Sequence, residues 1–222
     1  MGIITIEKSN HLFWLGRYTE RVYTTLKYYL IGSDRMIDED TNYYAVYCEN
    51  IGVPDIYGSR ENFLQKYPFD VNDPNSIISN LYRAYDNAIV MRDYIGTETM
   101  AYIQLAIDDV KSAKRGETPL ADLMLAIDHL LAFWGCVNDL IHEEAIRNII
   151  KLGKGVERVD LYLGLNKPIN EIEREYRRLK QFLSKSRMRY DDSVMYTFDS
   201  MLTENHLNYR TARSLFRNLI IE

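Results

Sequence analysis

The spacing of apolar residues is helical along almost the whole chain. Between Ser9 and Ile31, the residues Leu15, Tyr18, Val22, Leu26 and Tyr29 recur at the 3.6-residue period of one helix face, and Gly32 reads as the C-terminal stop. Asp38 to Ile51 reads as an aromatic-rich second helix ended by Gly52 and Pro54, and Ser59 to Tyr67 as a short third one closed by Pro68. Asp73-Pro74 is a start signal: an acid that can cap free N–H groups, then a proline at the first turn, where its missing N–H costs nothing. That helix is expected to reach Ile95, and another to run from Gly96-Thr97 to Arg115-Gly116. Thr118-Pro119 repeats the signal. The proline-free stretch from Leu120 to Asn166 is too long for one globular helix, so a turn is expected near Asn138-Asp139. Asn170 and Glu173 resemble a capping box, and one or two more helices follow from Asp191. All five prolines fall in or beside turns, and no run alternates as a strand would. The predicted fold class is all-α: a single-domain helical bundle over residues 1–222, with connections too short to be linkers.

Composition narrows the function classes. A chain of 222 residues with 46% hydrophobic and 27% charged residues can bury a core without disulfides or metal. A net charge of −5 speaks against a nucleic-acid partner. The basic residues between Arg174 and Arg189 alternate with Glu171, Glu173 and Glu175 and read as a solvated, ion-paired face. Cys48 and Cys136 have no CxxC companion and read as reduced thiols. Met1 to Asn10 lacks the pattern of a signal peptide, and no uncharged apolar stretch approaches the ~20 residues that span a bilayer. The expectation is a cytoplasmic protein with no membrane partner. A homo-oligomer stays open.

The chemistry concentrates in a phrase that occurs twice. Leu15-Gly16-Arg17-Tyr18-Thr19-Glu20-Arg21-Val22 returns 137 residues later as Leu152-Gly153-Lys154-Gly155-Val156-Glu157-Arg158-Val159. On a helical wheel Phe13, Arg17, Glu20 and Thr24 share a face, as do Ile150, Lys154, Glu157 and Leu161, so apolar neighbours stand beside each glutamate. Glycine inside a helix costs ~0.5–1 kcal/mol relative to alanine, and its use at the same offset twice points to close backbone approach. Each glutamate has a cation three residues earlier that can touch it, and an arginine immediately after that points about 100° away and can serve a neighbouring helix. Glu20 and Glu157 therefore read as anions that orient guanidinium groups, not as general acids. The same residues allow two readings: buried ion pairs that fix a helix crossing, or a charged site whose arginines grip a carboxylate or phosphate. Two cations to one glutamate in each copy leads to the expectation of a concave, net-positive pocket near the two helices.

The run from Asn10 to Arg21, with Trp14-Leu15-Gly16-Arg17 at its centre, resembles the opening of the bacterial alpha-E domain family, all-helical proteins named for their glutamates. Asp73-Pro74-Asn75-Ser76-Ile77, then Asn87-Ala88, Arg92-Asp93 and Thr97-Glu98, is similar to that family's central segment. Glu144-Ala145, leading to Lys154, Glu157 and Arg158, resembles its second Glu-Arg helix. The chain departs from the pattern at Tyr85-Asp86-Asn87-Ala88-Ile89, where the family carries two arginines, and at Met100, where it carries tryptophan, so it reads as a shortened or divergent member. The resemblance implies a place beside ATP-grasp-type ligases or transglutaminase-like proteins, in forming or processing peptide or amide bonds. On it rest three readings. The first is a helical accessory subunit that binds a partner ligase or a carboxylate- or peptide-bearing substrate. The second is a freestanding amide-bond transferase or hydrolase with a carboxylate-centred site. The third is a structural scaffold. The candidate binding residues are Arg17, Glu20, Arg21, Arg92, Glu98, Lys154, Glu157 and Arg158; catalytic residues stay unassigned.

No phosphate-binding GxxxxGK[ST] loop, GxSxG elbow or HExxH motif occurs, so neither a cofactor nor a metal is expected. Of the four histidines, His11, His129, His142 and His206, only His142 has an acid, Asp139, three residues earlier, and that pair reads as a hydrogen bond near a helix start. The eighteen tyrosines read mostly as core and interface aromatics.

Overall fold

A computed structural model describes residues 4–38, 40, 42–116, 119–203 and 207–221. Its first element, α1 (Ile6–Asp38), does not stop at Gly32 but continues for six more residues. The reason is packing: a Cβ on Gly32 would stand 3.4 Å from the Tyr43 ring and 3.7 Å from the Tyr47 ring, so the glycine makes room for α2 (Tyr43–Ile51). Beyond it α3 (Arg60–Lys66), capped by the Ser59 hydroxyl, closes an aromatic cluster. Phe63 and Tyr67 stack at 4.8 Å, and Tyr29, Tyr47 and Tyr57 pack around them. The hydroxyls of Tyr29 and Tyr47 donate to the carbonyls of Leu64 and Thr25, so these tyrosines are buried without orphaned polar groups.

The helix expected from Asp73-Pro74 begins later, as α4 (Ile77–Val90). Ser76 caps it by accepting from Ser79 N–H, while the buried Asp73 carboxylate accepts from Asn75 N–H and from the Tyr57 hydroxyl. It also ends early: a break at Met91 separates it from the single turn α5 (Arg92–Ile95). Then come α6 (Thr97–Ala113) and α7 (Pro119–Asp139), which ends at the expected turn; Thr118, its expected cap, lies outside the described residues. The remaining helices are α8 (Glu144–Gly164), α9 (Ile169–Ser186), α10 (Asp192–Thr203) and α11 (Tyr209–Phe216). Pro168 opens α9, and Asn170 accepts from Glu171 N–H, so the expected capping box is not formed. Among the described residues the only strand-like pairing is an isolated bridge between Tyr190 and Ile220.

The two helices that carry the repeated phrase lie at the centre. α1 packs along α8; α4, α7 and α2 also rest on α1, while α9 and α11 cover α8. α6 joins α7 to α4, and α10 backs α11. α7 has the length and composition of a membrane-crossing helix, a match that Asp122 and Asp128 hide from a search for uncharged runs. Its Leu123, Ala126, Leu130, Phe133 and Val137 are buried.

Candidate functional site

The crossing of α1 and α8 is set by two glycines. A Cβ on Gly16 would fall 2.0 Å from the Ile150 carbonyl oxygen and 3.1 Å from Lys154 N. A Cβ on Gly153 would fall 2.0 Å from the Phe13 carbonyl oxygen and 3.1 Å from Arg17 N. Each glycine thus meets the residue three before and the residue one after the other, which relates the two helices by an approximate twofold at their contact. No side chain fits there, and this is why the repeated phrase carries glycine at the same place in both copies.

One turn further along each helix stand Glu20 and Glu157, both fully buried. Neither pairs with the cation three residues before it. Because the backbones touch, each carboxylate faces the opposite helix, and the ion pairs are crossed. Arg158 donates from Nε and Nη2 to the two oxygens of Glu20, at 2.7 and 3.0 Å, a bidentate fork that Thr24 supplements with a hydroxyl at 2.8 Å. Arg21 donates from Nε to Glu157 Oε1 at 2.6 Å, and Arg17 from Nε to Oε2 at 2.9 Å. The arginine that follows each glutamate therefore serves the neighbouring helix, as the wheel implied.

The twofold is broken in the details. Arg158 uses its third nitrogen, Nη1, on Glu175 of α9, which also accepts from Arg174 and Arg178. Arg17 and Arg21 use only Nε, and their Nη groups have no partner among the described residues. Arg17 lies against the Trp14 ring at 4.6 Å. Its counterpart, Lys154, makes no ion pair among the described residues and places its amine 3.8 Å over the Trp134 ring. Burial lowers the Lys154 pKa to about 8, although the Glu20 charge opposes the shift. The unfolded lysine holds its proton to higher pH than the folded one. Its contribution to stability is therefore least favourable below about 8 and rises as pH climbs toward the ordinary value of 10.5. An NMR titration of the Lys154 side chain is expected to show a midpoint near 8, and a midpoint above 10 would contradict the burial of the amine.

A second carboxylate on the same face of α8 was not among the expected site residues. Asp160, buried and one turn beyond Glu157, accepts from Nε and Nη2 of Arg213 and from Nε and Nη2 of Arg217, at 2.8 to 3.3 Å. Burial alone would push its carboxyl up; the hydrogen bonds and charges of Arg217 and Arg213 outweigh that and hold it below the usual carboxylate range. Arg213 also donates to the Asn50 and Ile51 carbonyls at the end of α2. The sequence signal was the spacing Arg210, Arg213, Arg217 on one face of α11 and its C-cap, but nothing local says what those arginines reach.

The net-positive pocket expected near the two Glu-Arg helices is not at their crossing, which the touching backbones fill. A cleft of 390 Å³ opens at the end of α8, lined by residues that include Asn50, Gly164, Tyr209, Arg213, Ser214 and Arg217. Arg92 and Glu98 do not complete the constellation either: the break at Met91 leaves both exposed, on α5 and the first turn of α6, with no ion pair among the described residues. Asn87 does connect to α1, its Oδ1 2.8 Å from His11 Nδ1. Asp139 and His142 are both exposed, His206 lies outside the described residues, and among those described no three His, Cys, Asp or Glu side chains form a metal-holding group. Both cysteines are free and buried, and burial pushes the Cys48 thiol up to about 12.

An all-helical protein whose centre is a crossed pair of Glu-Arg helices is the class this geometry defines. The chain belongs to the Alpha-E family, described as a predicted alpha-helical domain with a conserved ER motif; the match covers residues 8–203 and includes both Glu20-Arg21 and Glu157-Arg158. No curated protein and no solved structure matches the chain.

Proposed function

We propose that this protein is a helical accessory subunit that holds a carboxylate-bearing substrate or partner segment for an amide-forming ligase of the ATP-grasp type. The observation that carries this reading is the unequal use of the arginines. Around Glu20 the core guanidinium is fully engaged, which suits a structural clasp. Around Glu157 two guanidiniums are anchored by Nε alone and keep their outer edges for something else. Anchored, half-buried arginines with free Nη edges are suited to carboxylate recognition, because the fork is held in place before the ligand arrives. A cytoplasmic home goes with this reading.

The test pairs the purified chain with an ATP-grasp-type ligase encoded beside its gene and follows ADP release and amide product. The chain alone is expected to turn over neither ATP nor amide substrates, and to raise the ligase's rate when added. Turnover of an amide substrate by the chain alone would favour the freestanding-enzyme reading. No effect on the ligase and no co-purification would leave the scaffold reading.

A further inference from the structure

We propose that the arginines covering Glu157 and Asp160 of α8 bind a ligand that presents two carboxylates, such as an acidic dipeptide, one carboxylate on the Nη edges of Arg17 and Arg21 and the other on Arg217. This rests on the carboxylate-holding role proposed above and names its ligand class and its place.

The two anchoring carboxylates are three residues apart on one helix, so their side chains leave α8 about 5–6 Å from each other. Each is covered by two arginines, and the four guanidiniums exceed the two carboxylates by two positive charges. That surplus matches a dianion. Arg217 engages Asp160 through Nε and Nη2, leaving Nη1 without a partner among the described residues, and its side chain is 53% exposed at the mouth of the cleft. Arg17 and Arg21, at 17% and 30% exposure, are held firmly, yet none of their Nη atoms is a buried donor sealed from solvent. The two clasps are also adjacent. The Glu157 charge, with that of Asp160 beside it, raises the Arg21 pKa against the effect of burial, and the hydrogen bond and charge of Asp160, with the charge of Glu157, raise that of Arg217 against burial and the Arg21 charge. Because each arginine pair is already anchored by its own carboxylate, a diacid would bridge both ends without reorganising either pair.

The other side of the twofold gives a built-in contrast. Arg158 uses all three nitrogens on Glu20 and Glu175, and Lys154 is turned over the Trp134 ring. No equivalent edge is presented there.

Calorimetric titration of the full chain at low ionic strength tests this with three probes: L-glutamyl-L-glutamate, whose three carboxylates and one ammonium leave a net charge of −2, acetate and inorganic pyrophosphate. The dipeptide is expected to bind at least tenfold more tightly than acetate. Arg21→Ala and Arg217→Ala should each weaken it about tenfold or more, while Arg178→Ala, on the exposed rim of the other clasp, should leave it unchanged. Arg21→Lys keeps the charge but loses the fork, and is expected to weaken binding even if Arg21→Ala fails to fold. Equal binding of dipeptide and acetate, an unaltered Arg217→Ala, or no binding of any probe would overturn the proposal. Tight pyrophosphate binding without dipeptide binding would overturn the carboxylate assignment. If dipeptide binding fails while the chain still stimulates a ligase, this site is wrong and the accessory role survives; if the dipeptide binds and the ligase is indifferent, the reverse holds.

Discussion

Gly153→Ala is expected to destabilise the protein by about 3 kcal/mol or more, and to lower its melting temperature by about 6–12 °C for a chain of this length. Two opposing effects decide the sign. Alanine in place of glycine in a helix gains ~0.5–1 kcal/mol by restricting the unfolded chain. Against that, the new Cβ would sit 2.0 Å from the Phe13 carbonyl oxygen, a backbone atom of another helix that no rotamer change can move aside. The helices must separate, and separation stretches all four cross-helix contacts that Glu20 and Glu157 make to arginine. Gly16→Ala meets the Ile150 carbonyl at the same distance and should behave alike. Gly135→Ala is the control: its Cβ meets nothing within 4 Å, so only the unfolded-chain gain remains and the variant should melt at or above wild type. Thermal melts of the three variants check this, and Gly153→Ala melting with wild type would contradict the close crossing.

Glu20→Gln is the second large effect. Glu20 is fully buried and accepts a two-pronged hydrogen bond from Arg158, whose side chain is only 17% exposed. Removing one partner of a buried pair costs about 3–5 kcal/mol because the remaining charge loses its compensation. Here Glu175 still reaches Arg158, at 3.4 Å, and some water can reach the guanidinium, so the lower end, about 3 kcal/mol, is expected. Chemical denaturation should show a lower midpoint with an unchanged slope. A midpoint within error of wild type would mean that Glu20 carries no structural charge.

Much of this was legible in the sequence, because the repeated phrase encodes its own geometry. Glycine four residues before a glutamate, twice, implies a close crossing on the glutamate face, and the arginine after each glutamate implies a reach to another helix. What spacing could not settle was the choice of partner. Arg17 and Glu20 are three apart and could pair within α1, yet the crossing turns both toward α8. Asp160, Arg213 and Arg217 stayed hidden because each looks like an ordinary polar position on an amphipathic helix until α11 folds onto α8. The misplaced helix ends have similar causes. Gly32 stays helical because two tyrosines pack over it, and Asp73 does not cap α4 because a tyrosine from a distant loop holds its carboxylate. In both cases tertiary contact outweighed a local signal worth about 1 kcal/mol.

The Glu-Arg pairs are crossed between the two helices. A double-mutant cycle measures it most directly, combining Glu20→Gln with Arg158→Lys and, separately, with Arg17→Lys. A coupling of about 1–3 kcal/mol is expected for Glu20 with Arg158, and close to none for Glu20 with Arg17, since Arg17 is bound to Glu157. Strong coupling of Glu20 to its own-helix neighbour Arg17, with none to Arg158, would contradict it.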